Sequence, residues 1–347
     1  MPPSYAPAAH GATPVALTGV GKRHAAALRT PAPPVARRRR RHPFRALLLV
    51  ILVLLLAWPV GLLLWANGKI QHIEALSGAA NTAGTTYLLA GSDSRADGAV
   101  ADGTAGQRSD TIMVMQVPSS GTASLVSLPR DTLVEIPGHG LNKLNAAYSL
   151  GGPELLTQTV EGLTGLTVDH YIEIGMGGVK NVVDAVGGVE LCYDRDVADE
   201  LSGLQWTAGC HTADGTTALA FARMRYSDPL GDLGRAERQR QVVSAVVQEV
   251  ATPATLLNPA DQVQLIDAGT GSLVVDTDTN IIDLGQMALG FRAATGPEGV
   301  VGTPPVGDPD YHPGGIGSTI LLDQELAPVF FERMRDGELA QADVGGS

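Results

Sequence analysis

Between Arg45 and Asn67 the chain runs for twenty-one residues, ALLLVILVLLLAWPVGLLLWA, without a charge. At a rise of about 1.5 Å per residue, a helix of this length crosses a hydrocarbon core of about 30 Å. Whatever the chain does, it is expected to do beside a bilayer. Pro59 and Gly61 are tolerated in such a helix, and Trp58 and Trp65 suit an interface. A cleaved signal peptide would have an apolar core of about 7 to 15 residues nearer the N-terminus, so an uncleaved signal anchor is the better reading. Five consecutive arginines, Arg37 to Arg41, precede the run and only Lys69 follows closely. The positive-inside rule then places the N-terminus in the cytoplasm and everything after Asn67 outside the cell membrane.

The charge divides at the same point. Residues 1–45 hold nine cations, Lys22, Arg23, Arg29, Arg37 to Arg41 and Arg45, and no acid. The remainder keeps fifteen of the 24 Lys and Arg against all 36 acids, a net of −21. The first 42 residues are rich in Pro and Ala with no apolar periodicity, the composition of a disordered cytoplasmic tail whose basic end meets anionic lipid. An arginine run can also bind nucleic acid. The adjacent span argues against that, and no nucleic-acid partner is expected.

The expected organisation is a basic tail over 1–45, the anchor over 46–66, a stalk over 67–84 and one external domain over 85–340. Two cysteines, Cys192 and Cys210, lie in the external part, where an oxidising compartment permits a disulfide. A loop of this length stabilises by roughly 3 kcal/mol. Two cysteines with His211 alone do not fill a zinc shell.

Apolar runs that end in polar motifs recur through the external part. Thr86 to Ala90 reads as a buried strand followed by Gly-Ser-Asp-Ser-Arg. Thr111 to Val117 and Ala123 to Leu128 are joined by Pro-Ser-Ser-Gly, a hairpin signal, and the second runs into Pro129-Arg130-Asp131. A helix is expected from about Gly152 to Leu163, strands at Tyr171 to Ile174 and Val189 to Tyr193, and a short helix between them. From Gly234 on, RAERQRQVVSAVVQEV has the residues of a helix with Val242, Val243, Val246 and Val247 on its apolar face. Alternating helices and strands with one hairpin predict an α/β fold, an α-β-α sandwich around a mixed central sheet.

Against the acidic background, one window stands out. Phe221 to Gln241, FARMRYSDPLGDLGRAERQRQ, holds Arg223, Arg225, Arg235, Arg238 and Arg240 together with Asp228 and Asp232. Arg235, Arg238 and Gln239 have helical spacing near a helix start, itself an anion site through its free N–H groups. Asp232 is placed to cap it. Arg223 and Arg225 are two apart, so on a strand both project to one side, whereas on a helix they diverge. Planar guanidinium groups bind phosphate bidentately, which fits a ligand with two or more negative charges. In α/β sheets, ligands bind at the carboxyl ends of strands. Arg95, Asp110, Arg130 and Asp131 all fall beside strand ends. Two carboxylates among such arginines point to a divalent cation bridging acid and phosphate. The competing interpretation pairs each Asp with an Arg in a buried salt bridge.

Five motifs in order carry a resemblance: GSDSR from Gly91 to Arg95, RSDT from Arg108 to Thr111, LPRD from Leu128 to Asp131, KLNAAY from Lys143 to Tyr148, and the arginine window. Together, behind one membrane helix, they are similar to the LytR-CpsA-Psr family of cell-envelope proteins, strongly over roughly residues 85–250. The resemblance implies a membrane-anchored phosphotransferase. It would move a glycopolymer of teichoic acid, capsule or arabinogalactan type from a polyprenyl-pyrophosphate carrier to peptidoglycan. It further implies that Asp110 and Asp131 hold Mg²⁺, with Mn²⁺ as a substitute, and form the catalytic centre with Arg130. Arg95, Arg130, Arg223, Arg225, Arg235 and Gln239 would bind the pyrophosphate, with Lys143 and Arg238 as further members. An apolar tunnel beneath the sheet would enclose the lipid tail. An exported enzyme has no ATP, so the bond energy must arrive in the substrate, and a lipid pyrophosphate meets that need. Two other readings use the same residues: a phosphatase or pyrophosphatase acting on the lipid carrier, and a non-catalytic carrier-binding or regulatory protein.

Overall fold

A computed structural model of the chain describes residues 43–92, 109–224, 227–228, 231–250 and 258–345. The chain divides after Leu52, and the unit from Val53 on contains every strand among the described residues. Among the described residues one helix, α1 (Pro43–Asn67), includes a 21-residue stretch apolar enough to cross a membrane, with mean hydropathy 3.0.

Residues expected to form a stalk are instead part of the fold. The Asn67 side-chain oxygen accepts the Ile281 N–H at 3.1 Å, and Lys69 pairs with Asp267 while lying over the Trp65 ring. Ile70 is buried, and β1 (Gln71–Ile73) joins the sheet edge in parallel register with β12 (Leu273–Asp276). The physical reason is that the edge of β12 offers unpaired backbone N–H and C=O groups, which these three residues satisfy.

The central sheet has seven strands in the order β1-β12-β7-β2-β3-β4-β13. Its middle is β7 (His170–Gly175), β2 (Thr85–Ser92), β3 (Ser109–Val117) and β4 (Ser124–Leu128), and β13 (Val300–Gly302) closes the far edge. The β2–β3 and β3–β4 pairs are antiparallel while β2–β7 and β4–β13 are parallel, so the sheet is mixed as expected. Strand alternation sends successive side chains to opposite faces. Leu88, Ala90, Ile112, Val114 and Tyr171 pack on one face with Leu144, Tyr148 and Leu156 of α2 (Leu144–Thr164) and with Phe330 of the C-terminal helix. Tyr87, Met113, Met115 and Ile172 pack on the other with Phe291 and with Val243 and Val247.

Helix α2 starts eight residues before the expected Gly152. Asn145 to Tyr148 are adequate helix residues, and the chain breaks only at Gly151 and Gly152, where φ of +69° at Gly152 requires glycine, before Pro153 restarts the helix. A second small core gathers Phe221, Trp206 and Leu191 under α3 (Met176–Ala185), α4 (Gly215–Arg223) and the paired strands β8 (Val189–Tyr193) and β11 (Gly209–Ala213). Cys192 and Cys210 face each other across that antiparallel pair and form a disulfide. Helices on both faces of a mixed sheet make the α-β-α sandwich.

Candidate active site

The site forms where β4 ends. After the buried Leu128, the Pro129-Arg130-Asp131-Thr132 turn is pinned by its backbone on every side. Thr132 N–H donates to the Pro129 carbonyl at 3.0 Å, Asn145 N–H to the Arg130 carbonyl at 3.0 Å, and Ile320 N–H to the Asp131 carbonyl at 2.9 Å. The Asp131 side chain is only 20% exposed; it accepts from Lys143 Nζ at 2.9 Å and lies 3.5 Å from Arg130 Nε. Lys143 ends β6 (Gly140–Lys143), the hairpin partner of β5 (Leu133–Ile136), so two motifs distant in the sequence meet by strand pairing.

Asp110 occupies a special position on β3. The β2–β3 register runs Gly91 opposite Thr111 and then Ser92 opposite Ser109, which leaves Asp110 as the extra residue of a bulge. Bulges re-aim side chains next to active sites. The Asp110 side chain, like Arg95, Arg225 and the Asp232 side chain, lies outside the described residues. Among the described residues no group of three His, Cys, Asp or Glu side chains is placed to hold a metal ion.

The arginine window separates into parts. Arg223 is the last residue of α4, a helix rather than a strand, because Gly215 to Ala222 bury an alanine-rich face under Trp206. Asp232 falls within the first turn of α5 (Gly231–Val250) and not before it. Arg223, Arg235 and Gln239 line a cavity of about 490 Å³ whose mouth also holds Gly91, Thr111 and Arg130. Its walls are mostly apolar, with Ile172 and Ile174 of β7, Val242, Val243, Val246 and Val247 of α5, and Met287 and Phe291 of α6 (Ile281–Ala294), while Asp199 and Ser202 also line it. Helical spacing of 100° per residue brings Arg235 and Gln239 to the same stripe.

Arg238 does not join them. Only 3% exposed, it donates through Nε to the Phe221 carbonyl at 3.1 Å, through Nη2 to the Met224 carbonyl, and through Nη1 to the buried Asp228. Its charge is spent on tying the end of α4 to α5. A methyl group added at Gly234 would collide with the Asp228 carboxylate, so the glycine makes room for this knot. Single-turn spacing predicts Arg238 beside Arg235, but it stands one residue short of Gln239, and that step of about 100° turns it inward.

On the opposite face of the sheet lies a buried cluster that the motifs did not reveal. Tyr148 of KLNAAY donates to the two Glu173 oxygens at 2.9 and 3.1 Å, and Tyr171 donates to Glu173 at 2.7 Å. Burial first, and then the Glu173 charge, push both phenols well above their ordinary pKa of 10.0. In the unfolded chain the phenols ionise above about 10 while in the fold they stay neutral, so their contribution is complete below that pH and is lost as pH rises beyond it. Melting temperature is therefore expected to fall between about pH 9 and pH 11, and to fall less in a Tyr148→Phe, Tyr171→Phe variant. Identical slopes would show that the phenols are not held neutral. His170, by contrast, stacks on Tyr87 and contacts Thr279, a structural role.

The fold and site define a class: an α-β-α sandwich with a membrane-length helix, and a largely apolar cavity lined also by Arg130, Arg223 and Arg235. The LytR_cpsA_psr family model matches residues 65–295, and the chain belongs to that family. It is 43% identical over 283 residues to a probable cell wall biosynthesis protein LcpB of Corynebacterium glutamicum, covering 78% of this chain and 66% of that one. It is 41% identical over 213 residues to a polyisoprenyl-teichoic acid–peptidoglycan teichoic acid transferase TagU of Enterococcus faecalis, covering 61% of this chain and 67% of that one. The chain thus spans about two thirds of the length of these relatives. The same fold occurs in a LytR-Csp2A-Psr enzyme from Actinomyces oris, with a TM-score of 0.62 at 23% identity over 76% of this chain and 95% of that one.

Proposed function

We propose that the chain is a membrane-anchored phosphotransferase of the cell envelope that moves a glycopolymer from a polyprenyl-pyrophosphate carrier to peptidoglycan, with its folded domain on the outer side of the membrane. The observation that carries this reading is the mouth itself, where Arg130, Arg223, Arg235 and Gln239 stand over an apolar cavity of about 490 Å³. Guanidinium groups there suit a pyrophosphate, and the valine-lined interior suits a hydrocarbon tail. The two curated relatives, one named for cell wall biosynthesis and one for teichoic acid transfer, support the same chemistry.

The step is attack by an acceptor sugar hydroxyl oxygen on the glycan-side phosphorus. A new P–O bond forms, the P–O bond to the carrier's phosphate breaks, polyprenyl monophosphate leaves, and the hydroxyl proton passes to a carboxylate. The arginines stabilise charge as it spreads over the phosphoryl oxygens. Asp131 offers hard oxygen donors and already holds a cation, the Lys143 ammonium, at 2.9 Å. With Asp110 at the adjacent bulge it would hold Mg²⁺, which commonly takes one or two carboxylates plus substrate oxygens. When bound there, the ion supplies further neutralisation of phosphate charge. Lys143 and Arg130 flank the Asp131 carboxylate and limit its movement.

The test is acceptor dependence. The full chain in detergent with Mg²⁺ is expected to release polyprenyl monophosphate from a lipid-pyrophosphate glycan only when peptidoglycan is present. Equal release without peptidoglycan would make the protein a hydrolase.

A further inference from the structure

One cation of the window belongs neither to the mouth nor to the Arg238 knot. Arg240 lies on α5 one residue past Gln239, and its Nη1 donates to Ser127 Oγ on β4 at 2.8 Å. Ser127 is buried and stands directly across from Met113 of β3, a residue of the cavity wall. Leu125, two residues earlier on β4 and so on the same face, packs in the core of that side. The guanidinium is therefore held against β4, next along the helix from Gln239, across the strand pair from the cavity residue Met113 and near the strand end that carries Arg130.

Its surroundings are unlike those of Arg238. Arg238 is surrounded by a carboxylate and two carbonyls. Arg240, among the described residues, has one hydrogen-bond partner, a neutral hydroxyl, and the acid acting on it is the exposed Glu237 of its own helix. Burial lowers the Arg240 pKa from its ordinary value. A half-buried guanidinium facing only a neutral hydroxyl is poorly compensated in the folded state taken alone. Groups arranged against stability are concentrated where a ligand completes them.

We propose that Arg240 is a further anion-binding residue, whose charge is completed by the pyrophosphate of the donor and which reaches it from the β4 flank, opposite Arg223. The proposal rests on the transferase reading only in needing a pyrophosphate-bearing donor. Ser127 Oγ supplies only a neutral acceptor to the guanidinium.

Calorimetric titration of the full chain in detergent micelles with farnesyl pyrophosphate and Mg²⁺, paired with thermal melting, tests it. Arg240→Met is expected to weaken binding roughly 10- to 100-fold, the loss of a charge-assisted contact, while melting at the same or a higher temperature. Arg240→Lys should recover part of the affinity. Ser127→Ala, which leaves the charge in place, should bind within about threefold of the native chain. Unchanged affinity in Arg240→Met, a fall in its melting temperature that accompanies the lost affinity, or an equal loss in Ser127→Ala would each overturn the proposal by making the contact structural. A native chain that ignores farnesyl pyrophosphate altogether would remove the transferase reading instead, and this inference with it.

Discussion

Asp131→Asn is expected to reduce glycopolymer transfer by roughly two to three orders of magnitude, the scale seen when a preorganised electrostatic group is removed from a reaction site. The substitution is nearly isosteric, and the Asn oxygen still accepts from Lys143, whose ammonium lies 2.9 Å from the carboxylate in the native chain. The turn that presents residue 131 is held by backbone bonds to Thr132, Asn145 and Ile320, none of which the substitution touches. Stability should therefore change little, since a part-exposed ion pair contributes only about 0 to 1 kcal/mol. A folded variant that loses transfer assigns the carboxylate to the chemistry. A folded variant that still attaches glycan at the native rate would leave only a binding or regulatory role for the site.

Arg238→Met should be costly in the other currency, stability. Removing one partner of a buried ion pair leaves the other charge buried and alone, a loss of about 3 to 5 kcal/mol. Here that partner is Asp228, and the carbonyls of Phe221 and Met224 lose their donors as well. Thermal melting should detect the whole effect, and Asp228→Asn added to Arg238→Met should recover part of it by discharging the stranded acid. Arg223, which ends the helix that Arg238 ties down, would also be released, so donor binding should weaken as a consequence. If Arg238→Met instead melts like the native chain and fails only in pyrophosphate binding, Arg238 belongs to the mouth, as its helical spacing with Arg235 first indicated.

Residue spacing made much of this protein legible and then stopped at a recognisable point. The hairpin through Pro118 to Gly121, the strand at Val189 to Tyr193 and the apolar valines of α5 each announce themselves because their period matches the element they form. The convergence of Pro-Arg-Asp with Lys143 also follows, once a hairpin is allowed between them. What spacing along one helix cannot resolve is a difference of a single residue. Arg235, Arg238 and Gln239 look alike as a set, yet Arg238 turns toward a carboxylate supplied by the loop before the helix. The Asp110 bulge is equally invisible, because an extra residue in a strand leaves no trace in an apolar pattern. Glu173 shows the same limit from the other side: its buried charge is accounted for by two tyrosines, one of them 25 residues away on α2. The strand at Gln71 to Ile73 was missed because three residues carry no period at all.

A phosphotransferase of this kind makes one bond, the phosphodiester that joins polymer to wall. The decisive measurement is mass spectrometry of peptidoglycan recovered after the full chain, in detergent with Mg²⁺, has acted on a polyprenyl-pyrophosphate glycan. The expected product is a muropeptide that carries the glycan through a single phosphate, with polyprenyl monophosphate released in equal amount. Free phosphoglycan with no wall-linked product would contradict it.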